Sequence, residues 1–258
     1  LYTWGYFYEE FGNKLSPTLV PKASYNNKKI KQIAFGSSSA YLLTTDNQLY
    51  VWGLNDNGRL GLGDTENRLT PTLMPASYYG NKQIKKIVVG YNSAYLLTED
   101  GDVYAWGKNN KGQLGLGDTN NRLTPTLIPK SSYGNETVKD IFAAGLNFYI
   151  LTTSSSIYRC GTNSDAMLGY DIGYEFESSL IKLPPEKYDN REIETLLVGM
   201  YNITMYTKDG HIYQWGYNYW RILFFYENIR SLHIISFYLH FHSLSFYYYT
   251  DFYFPNNL

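Results

Sequence analysis

A unit of about 54 residues recurs along this chain, and that period constrains its fold more than any single residue does. Gly36, Gly90, Gly145 and Gly199 each follow an apolar run, at spacings of 54, 55 and 54. Trp-Gly pairs recur at Trp4-Gly5, Trp52-Gly53, Trp106-Gly107 and Trp215-Gly216, with Cys160-Gly161 in the remaining slot. The stretch GRLGLGDTENRLTPTLMP (58–75) returns as GQLGLGDTNNRLTPTLIP (112–129). A repeat of this length is one supersecondary unit that cannot bury its apolar face alone and stacks on copies of itself. Function is then expected on the loops and edges of the array.

Each unit reads as short strands. KQIAFG (31–36), SAYLLTTD (39–46) and QLYVWG (48–53) follow one another, and the next unit carries the hairpin YLLTEDGDVYAWG (95–107). Asp100-Gly101 supplies the positive φ that a tight hairpin needs, and Lys208-Asp209-Gly210-His211 repeats the device. The segments TPTLMP (70–75) and TPTLIP (124–129) carry proline at both ends, which suits an edge strand. Consecutive apolar positions such as Ala40, Leu42, Leu43, Ile87, Val88 and Val89 indicate sheets covered on both faces. No helical period survives across a whole unit, and glycine and proline are too dense for long helices. The expected fold is all-β, a β-propeller.

The strings WGLNDNGRLGLGD (52–64) and WGKNNKGQLGLGD (106–118), with the Gly-to-Leu-Thr element at Gly36–Thr44 and Gly90–Thr98, resemble the regulator of chromosome condensation repeat. The resemblance covers residues 1–216. It implies blades of a seven-bladed propeller. The family's namesake promotes nucleotide exchange on the small GTPase Ran while bound to chromatin, and many members are binding modules of larger proteins. Histidine three residues after the repeat glycine is usual in the family. Counted from the glycines, this chain has Ser39, Ser93, Phe148 and Asn202 there, which weakens the exchange reading.

About four units are present, so the propeller is incomplete against the seven that the resemblance implies. Leu1 falls inside a unit, since LYTWG (1–5) aligns with LYVWG (49–53). The first unit is short by about six loop residues relative to the later copies. The third is degraded at CGTNSDAMLGYD (160–171), which keeps Asn163, Leu168 and Gly169. An open arc exposes sheet faces and edges, so self-association through them is expected unless they are covered. The repeat array is assigned to 1–216 and an aromatic-rich, non-repeat tail to 217–258. Sixteen of the tail's residues are aromatic and four are charged. That composition fits translated noncoding sequence, a cap on the arc, or a membrane-associated segment. The histidines and serines of 231–249 make a poor bilayer core.

A net charge of −1 gives no whole-chain attraction to nucleic acid or an anionic membrane. One cysteine, Cys160, excludes an internal disulfide and suits an intracellular setting, cytoplasmic or nuclear. No catalytic group, metal site or cofactor site is read. One cysteine and scattered histidines cannot supply zinc ligands, and GLGD lacks the GK[ST] ending of a phosphate loop. The lysines of 28–31 and 82–86 read as solubilising charge, and Trp52, Trp106 and Trp215 as wedges between blades whose N–H finds a carbonyl. The DTENR and DTNNR loops place Asp64, Glu66, Arg68, Asp118, Asn120 and Arg122 at equivalent points of adjacent units. These six are the candidate partner-binding residues, although Asp64 and Asp118 also suit Asx turns. The expected function is a protein-interaction scaffold without catalytic groups. The alternatives are a guanine-nucleotide exchange factor for a Ran-like GTPase and a nonfunctional fragment of a longer repeat protein.

Overall fold

The structure, a computed structural model, describes residues 2–5, 14–169 and 175–216. The tail assigned to 217–258, and the shortened loop of the first unit, lie outside the described residues. Among the described residues, seventeen strands form antiparallel meanders in chain order. A first pair, β1 (Tyr2–Gly5) and β2 (Lys14–Leu19), supplies the third and fourth strands of a blade. Three four-stranded blades follow. Blade 1 contains β3 (Ile30–Phe35), β4 (Ser39–Thr44), β5 (Leu49–Gly53) and β6 (Arg68–Leu73). Blade 2 contains β7 (Ile84–Val89), β8 (Ser93–Thr98), β9 (Val103–Gly107) and β10 (Arg122–Leu127). Blade 3 contains β11 (Val138–Ala144), β12 (Asn147–Thr152), β13 (Ile157–Thr162) and β14 (Phe176–Lys182). Blade 4 has three described strands, β15 (Ile193–Val198), β16 (Asn202–Thr207) and β17 (Ile212–Gly216). The architecture is the incomplete all-β propeller expected from the repeat.

Pleating explains why β4, β8 and β12 are buried at all six positions. Alternate side chains leave opposite faces of a strand, and each face meets a different blade. Tyr41, Leu43, Leu49 and Val51 of blade 1 join Ile84, Ile87, Leu96 and Trp106 of blade 2 in one core. Tyr95, Leu97, Val103 and Ala105 of blade 2 face Ile141, Phe148, Ile150 and Cys160 of blade 3 in the next.

The outermost strands bear out the proline reading. β6 pairs Thr72 with Val51 and Arg68 with Gly53, so the register slips across Leu69–Pro71. Pro71 sits in this irregularity, where its missing N–H breaks no regular ladder bond. At the opposite strand ends Gly101 has φ 84, and Asn47 takes φ 69 at the equivalent hairpin tip. Asn47 is also bonded to the next blade. Its Nδ2 donates to the Lys82 carbonyl at 2.9 Å, and its Oδ1 accepts from Ile84 N–H at 2.7 Å.

Two readings change. Strand pairing places Asn147 opposite Gly161, as Ser93 lies opposite Gly107. The residues in the family's histidine slot are therefore Ser39, Ser93, Asn147 and Asn202. Gly145 is not the repeat glycine but the equivalent of Tyr91, and the apparent spacing of 55 conceals this. The lysines also have a structural task. Lys31 Nζ donates to the Ile84 carbonyl at 2.7 Å, Lys85 Nζ to Lys139 at 3.0 Å, and Lys139 Nζ to Glu194 at 2.6 Å. Each ties one inner strand to the next.

Candidate protein-interaction site

The strand order puts two kinds of loop on one rim of the blades. Ser39 pairs with Gly53, so the short β3–β4 loop and the long β5–β6 loop leave the sheet at the same end. Leu54 N–H donates to the Ser38 carbonyl at 2.9 Å, and Lys108 N–H to Asn92 at 2.9 Å in blade 2.

The long loop is built around an asparagine. Asn55 Oδ1 accepts from Leu60 N–H at 2.8 Å, and its Nδ2 donates to the Asp64 carbonyl and to Oδ1 at 3.0 and 2.9 Å. Asp64 Oδ1 accepts from Glu66 N–H at 2.9 Å, an Asx turn, while Oδ2 pairs with Arg68 Nη2 at 2.6 Å. Arg68 Nη1 donates to the Glu66 carbonyl at 2.7 Å. Blade 2 repeats every contact. Asn109 holds Leu114 and Asp118, Asp118 accepts from Asn120 N–H at 2.9 Å, and Arg122 Nη2 meets Asp118 at 2.6 Å. Blade 3, degraded in sequence, keeps the hinge bond from Leu168 N–H to Asn163 Oδ1 at 3.1 Å.

The electrostatics follow. Burial opposes ionisation of Asp64, but Arg68, Glu66 N–H and Asn55 outweigh it and hold the carboxyl below its usual range. Arg122 does the same for Asp118, ahead of the opposing effect of burial. Four of the six candidate residues, Asp64, Arg68, Asp118 and Arg122, are thus engaged with one another inside their loops. Glu66 and Asn120 are exposed; the Glu66 side chain is 84% exposed, with its carboxylate 3.8 Å from Arg68 Nη1. The loops are neighbours, since Asn121 Nδ2 donates to Asn57 Oδ1 at 3.1 Å.

Sequence reading missed the apolar part of this rim. Phe35, Tyr91, Met200 and Tyr201 are exposed beside the short loops of blades 1, 2 and 4. Hydrogen bonds align these loops: Tyr91 N–H donates to the Gly145 carbonyl at 2.7 Å, and the Ser37 side-chain Oγ donates to the Tyr91 carbonyl at 2.8 Å. The available signal was an aromatic residue immediately beside the repeat glycine, at Phe35 and Tyr91.

Cys160 is fully buried, and burial pushes its thiol far above the usual range. His211 lies at a hairpin tip beside Asp209 and Arg191. Among the described residues no group of three or more His, Cys, Asp or Glu is placed to hold a metal ion. No helix among them is long and apolar enough to cross a membrane.

Comparison with known proteins agrees with this architecture. A family model of the regulator of chromosome condensation (RCC1) repeat matches residues 46–97 and 100–149, and a second matches 30–59 and 84–113. The ultraviolet-B receptor UVR8 of Arabidopsis thaliana is 32% identical over 222 residues, covering 84% of this chain and 49% of the receptor. The human WBSCR16 structure shares the fold with a TM-score of 0.68 at 19% identity, over 83% of this chain and 53% of that one. Prp20p of Saccharomyces cerevisiae does so with a TM-score of 0.61 at 21% identity, over 82% and 50%. The chain spans about half the length of each.

Proposed function

Because this chain is built of regulator of chromosome condensation repeats, we propose that it is a protein-interaction scaffold whose partner docks on the rim carrying the long loops. One observation supports this reading most. Adjacent blades hold the same loop in the same internally bonded shape, so Glu66 and Asn120 are presented at equivalent points of neighbouring loops on rigid supports. A loop whose backbone is fixed beforehand loses little entropy on binding. The aromatic residues Phe35 and Tyr91 on the same rim supply apolar contact area of the kind that anchors interfaces. No step in this function needs a general base, a nucleophile or a cofactor. An intracellular setting, cytoplasmic or nuclear, belongs to the same proposal.

The second reading is nucleotide exchange on a small GTPase. Prp20p was described together with its binding to Gsp1p and histones, and a shared fold motivates the test without carrying the activity. The histidine slots here hold Ser39, Ser93, Asn147 and Asn202. Ser39, Ser93 and Asn147 are buried, which leaves little side chain there for a partner. Release of fluorescent GDP from a Ran-like GTPase separates the two readings. A scaffold leaves the spontaneous rate unchanged at catalytic concentrations and binds its partner stoichiometrically; acceleration would favour exchange.

A further inference from the structure

The tight hairpin of each blade meets the inner strand of the next blade, and one of these joints differs from its neighbours. Glu99 N–H donates to the Gln83 carbonyl at 2.9 Å, Thr153 to Thr137 at 2.9 Å and Lys208 to Glu192 at 2.8 Å. These bonds flank the pairs Ile84–Thr98, Val138–Thr152 and Ile193–Thr207. A pair flanked in this way exchanges no hydrogen bonds of its own, so the N–H groups of Ile84, Val138 and Ile193 face away from the adjoining strand. Between blades 1 and 2 that N–H finds Asn47 Oδ1, 2.7 Å from Ile84. Between blades 3 and 4 it finds Ser155 Oγ, 2.9 Å from Ile193. Between blades 2 and 3 the same hairpin position is Gly101, whose N–H bonds Thr98 as Asn47 bonds Thr44 and Ser155 bonds Thr152. Gly101 has no side chain to offer Val138.

A second difference falls in the same joint. Lys31, Lys85 and Lys139 occupy one position of successive inner strands. Lys31 lies 3.6 Å from the Glu99 carboxylate of the following blade, and Lys139 lies 3.9 Å from Glu194. The equivalent of Glu99 in blade 3 is Thr153, and among the described residues no carboxylate pairs with Lys85. Its Nζ donates to the Lys139 carbonyl at 3.0 Å, which uses one of the three N–H groups of an ammonium. The two differences meet in space. A cavity of about 390 Å³ is bordered by Lys85, Gly101, Val138 and Thr153 together. A Cβ added at Gly101 would meet nothing within 4 Å. Glu99 and Asp100 also border the cavity, but each already has a lysine, Lys31 at 3.6 Å and Lys82 at 2.7 Å.

Val138 is buried, and a buried N–H calls for an acceptor oxygen, whereas an ammonium calls for negative charge. A carboxylate supplies both. We propose that the cavity between blades 2 and 3 is a carboxylate-binding site. One ligand oxygen accepts from Val138 N–H and the other pairs with Lys85 Nζ. The carboxylate belongs to a small organic acid or to the acidic side chain of a protein, and the site reads the group that the two share. The cavity lies at the strand ends opposite the long loops, so the proposal stands apart from the scaffold reading.

The test titrates the full chain with glutarate and with the peptide acetyl-Gly-Glu-Gly-amide, followed by amide NMR. The Val138 amide should shift saturably with at least one probe, at a Kd of about 1 mM or tighter. Response to glutarate alone assigns a free organic acid; response to the peptide admits an acidic side chain. Glutaramide, the uncharged diamide, should bind at least about tenfold more weakly than glutarate, and Lys85→Gln should weaken the bound probe by a similar factor. Gly101→Asn supplies the side chain that blade 1 carries, at a φ of 84 close to the 69 of Asn47. It should abolish the response at Val138 without lowering the melting temperature. No saturable shift with either probe, equal affinity for glutaramide, or undiminished binding by Gly101→Asn or Lys85→Gln would each overturn the proposal. Partner capture through Glu66 and Asn120 is scored independently, so failure here leaves the scaffold reading standing.

Discussion

Trp106 Nε1 donates to the carbonyl of Arg59 in the preceding blade, at 3.0 Å, and the Tyr41 hydroxyl donates to the same oxygen. The joint recurs where Trp215 and Tyr149 meet the Met167 carbonyl at 3.0 and 2.9 Å. One carbonyl thus couples a loop to its own blade and to the next. Trp106→Ala removes a fully buried ring as well as the bond and should cost about 3–5 kcal/mol. Trp106→Phe keeps most of the ring and leaves the Arg59 carbonyl its bond from Tyr41, so the lost hydrogen bond should cost about 0.5–1.5 kcal/mol. Urea unfolding of both variants checks the order.

Blade 3 reaches the same joint by other means. Cys160 donates its S–H to the Gln113 carbonyl at 3.3 Å, and Phe148, opposite it across the strands, stacks on Tyr95 with centroids 4.0 Å apart. In blades 1 and 2 this cross-strand pair is Ala40–Trp52 and Ala94–Trp106, and in blade 4 it is Ile203–Trp215. The bulky ring has moved from one strand to its neighbour. Cys160→Trp alone should overpack the joint and cost about 1–3 kcal/mol. Phe148→Ala alone should cost about 3–5 kcal/mol. The double variant restores the pattern of blade 2, and its loss should fall short of the sum by at least about 1 kcal/mol, read from a double-mutant cycle.

Asn109 is the hinge of its loop, with Oδ1 accepting from Leu114 N–H at 2.9 Å and Nδ2 reaching Asp118. Asn109→Ala leaves the buried amide of Leu114 without that acceptor and should cost about 1–3 kcal/mol. Loop 109–122 should then be cleaved earlier in limited proteolysis, while loop 55–68 keeps its wild-type rate. Equal cleavage of both loops would contradict the hinge assignment.

Much of this was legible in the sequence because the repeat repeats its physics. Strand positions, the Asp100-Gly101 hairpin, the proline edge strands and the tryptophan joints follow from residue types whose conformational or packing demands are local. Other features depend on partners in the next blade, about 54 residues away. Lys31 reads as solvated charge until β7 places the Ile84 carbonyl beside it. The exchange of Trp for Cys at position 160 reads as decay until the pairing with Phe148 is seen. The histidine-slot error arose because Gly145 imitates a repeat glycine one residue late, and only strand register distinguishes the two. The candidate loops divide similarly: the pattern located them, but geometry showed which of their charges are engaged internally.

Glu136 gives the chain an acid-sensitive contact. Burial raises its pKa, but Ser154, Tyr158, Thr152 and Lys182 more than offset this, moving it from an ordinary 4.5 to about 2. Tyr158 Oη and Thr152 Oγ1 each donate at 2.8 Å. A carboxyl whose pKa is lowered on folding stabilises fully above its unfolded value and loses that contribution as pH falls through the folded one. Glu136→Gln should therefore melt below wild type at pH 7, and the gap should narrow between about pH 4.5 and 2. A constant gap across that range would contradict the assignment.

The scaffold account is tested most directly by quantitative affinity capture with wild-type chain and a Glu66→Lys, Asn120→Lys double variant. Both positions are exposed, and the Glu66 carboxylate lies 3.8 Å from Arg68 Nη1, an exposed contact worth little. The two proteins should therefore differ in stability by no more than about 1 kcal/mol, checked by their melts. The account predicts that a protein recovered stoichiometrically with wild type is lost or reduced at least about tenfold with the variant, a change of about 1.4 kcal/mol. Recovery of the same partner at the same ratio by both proteins would contradict the placing of the interaction on these loops.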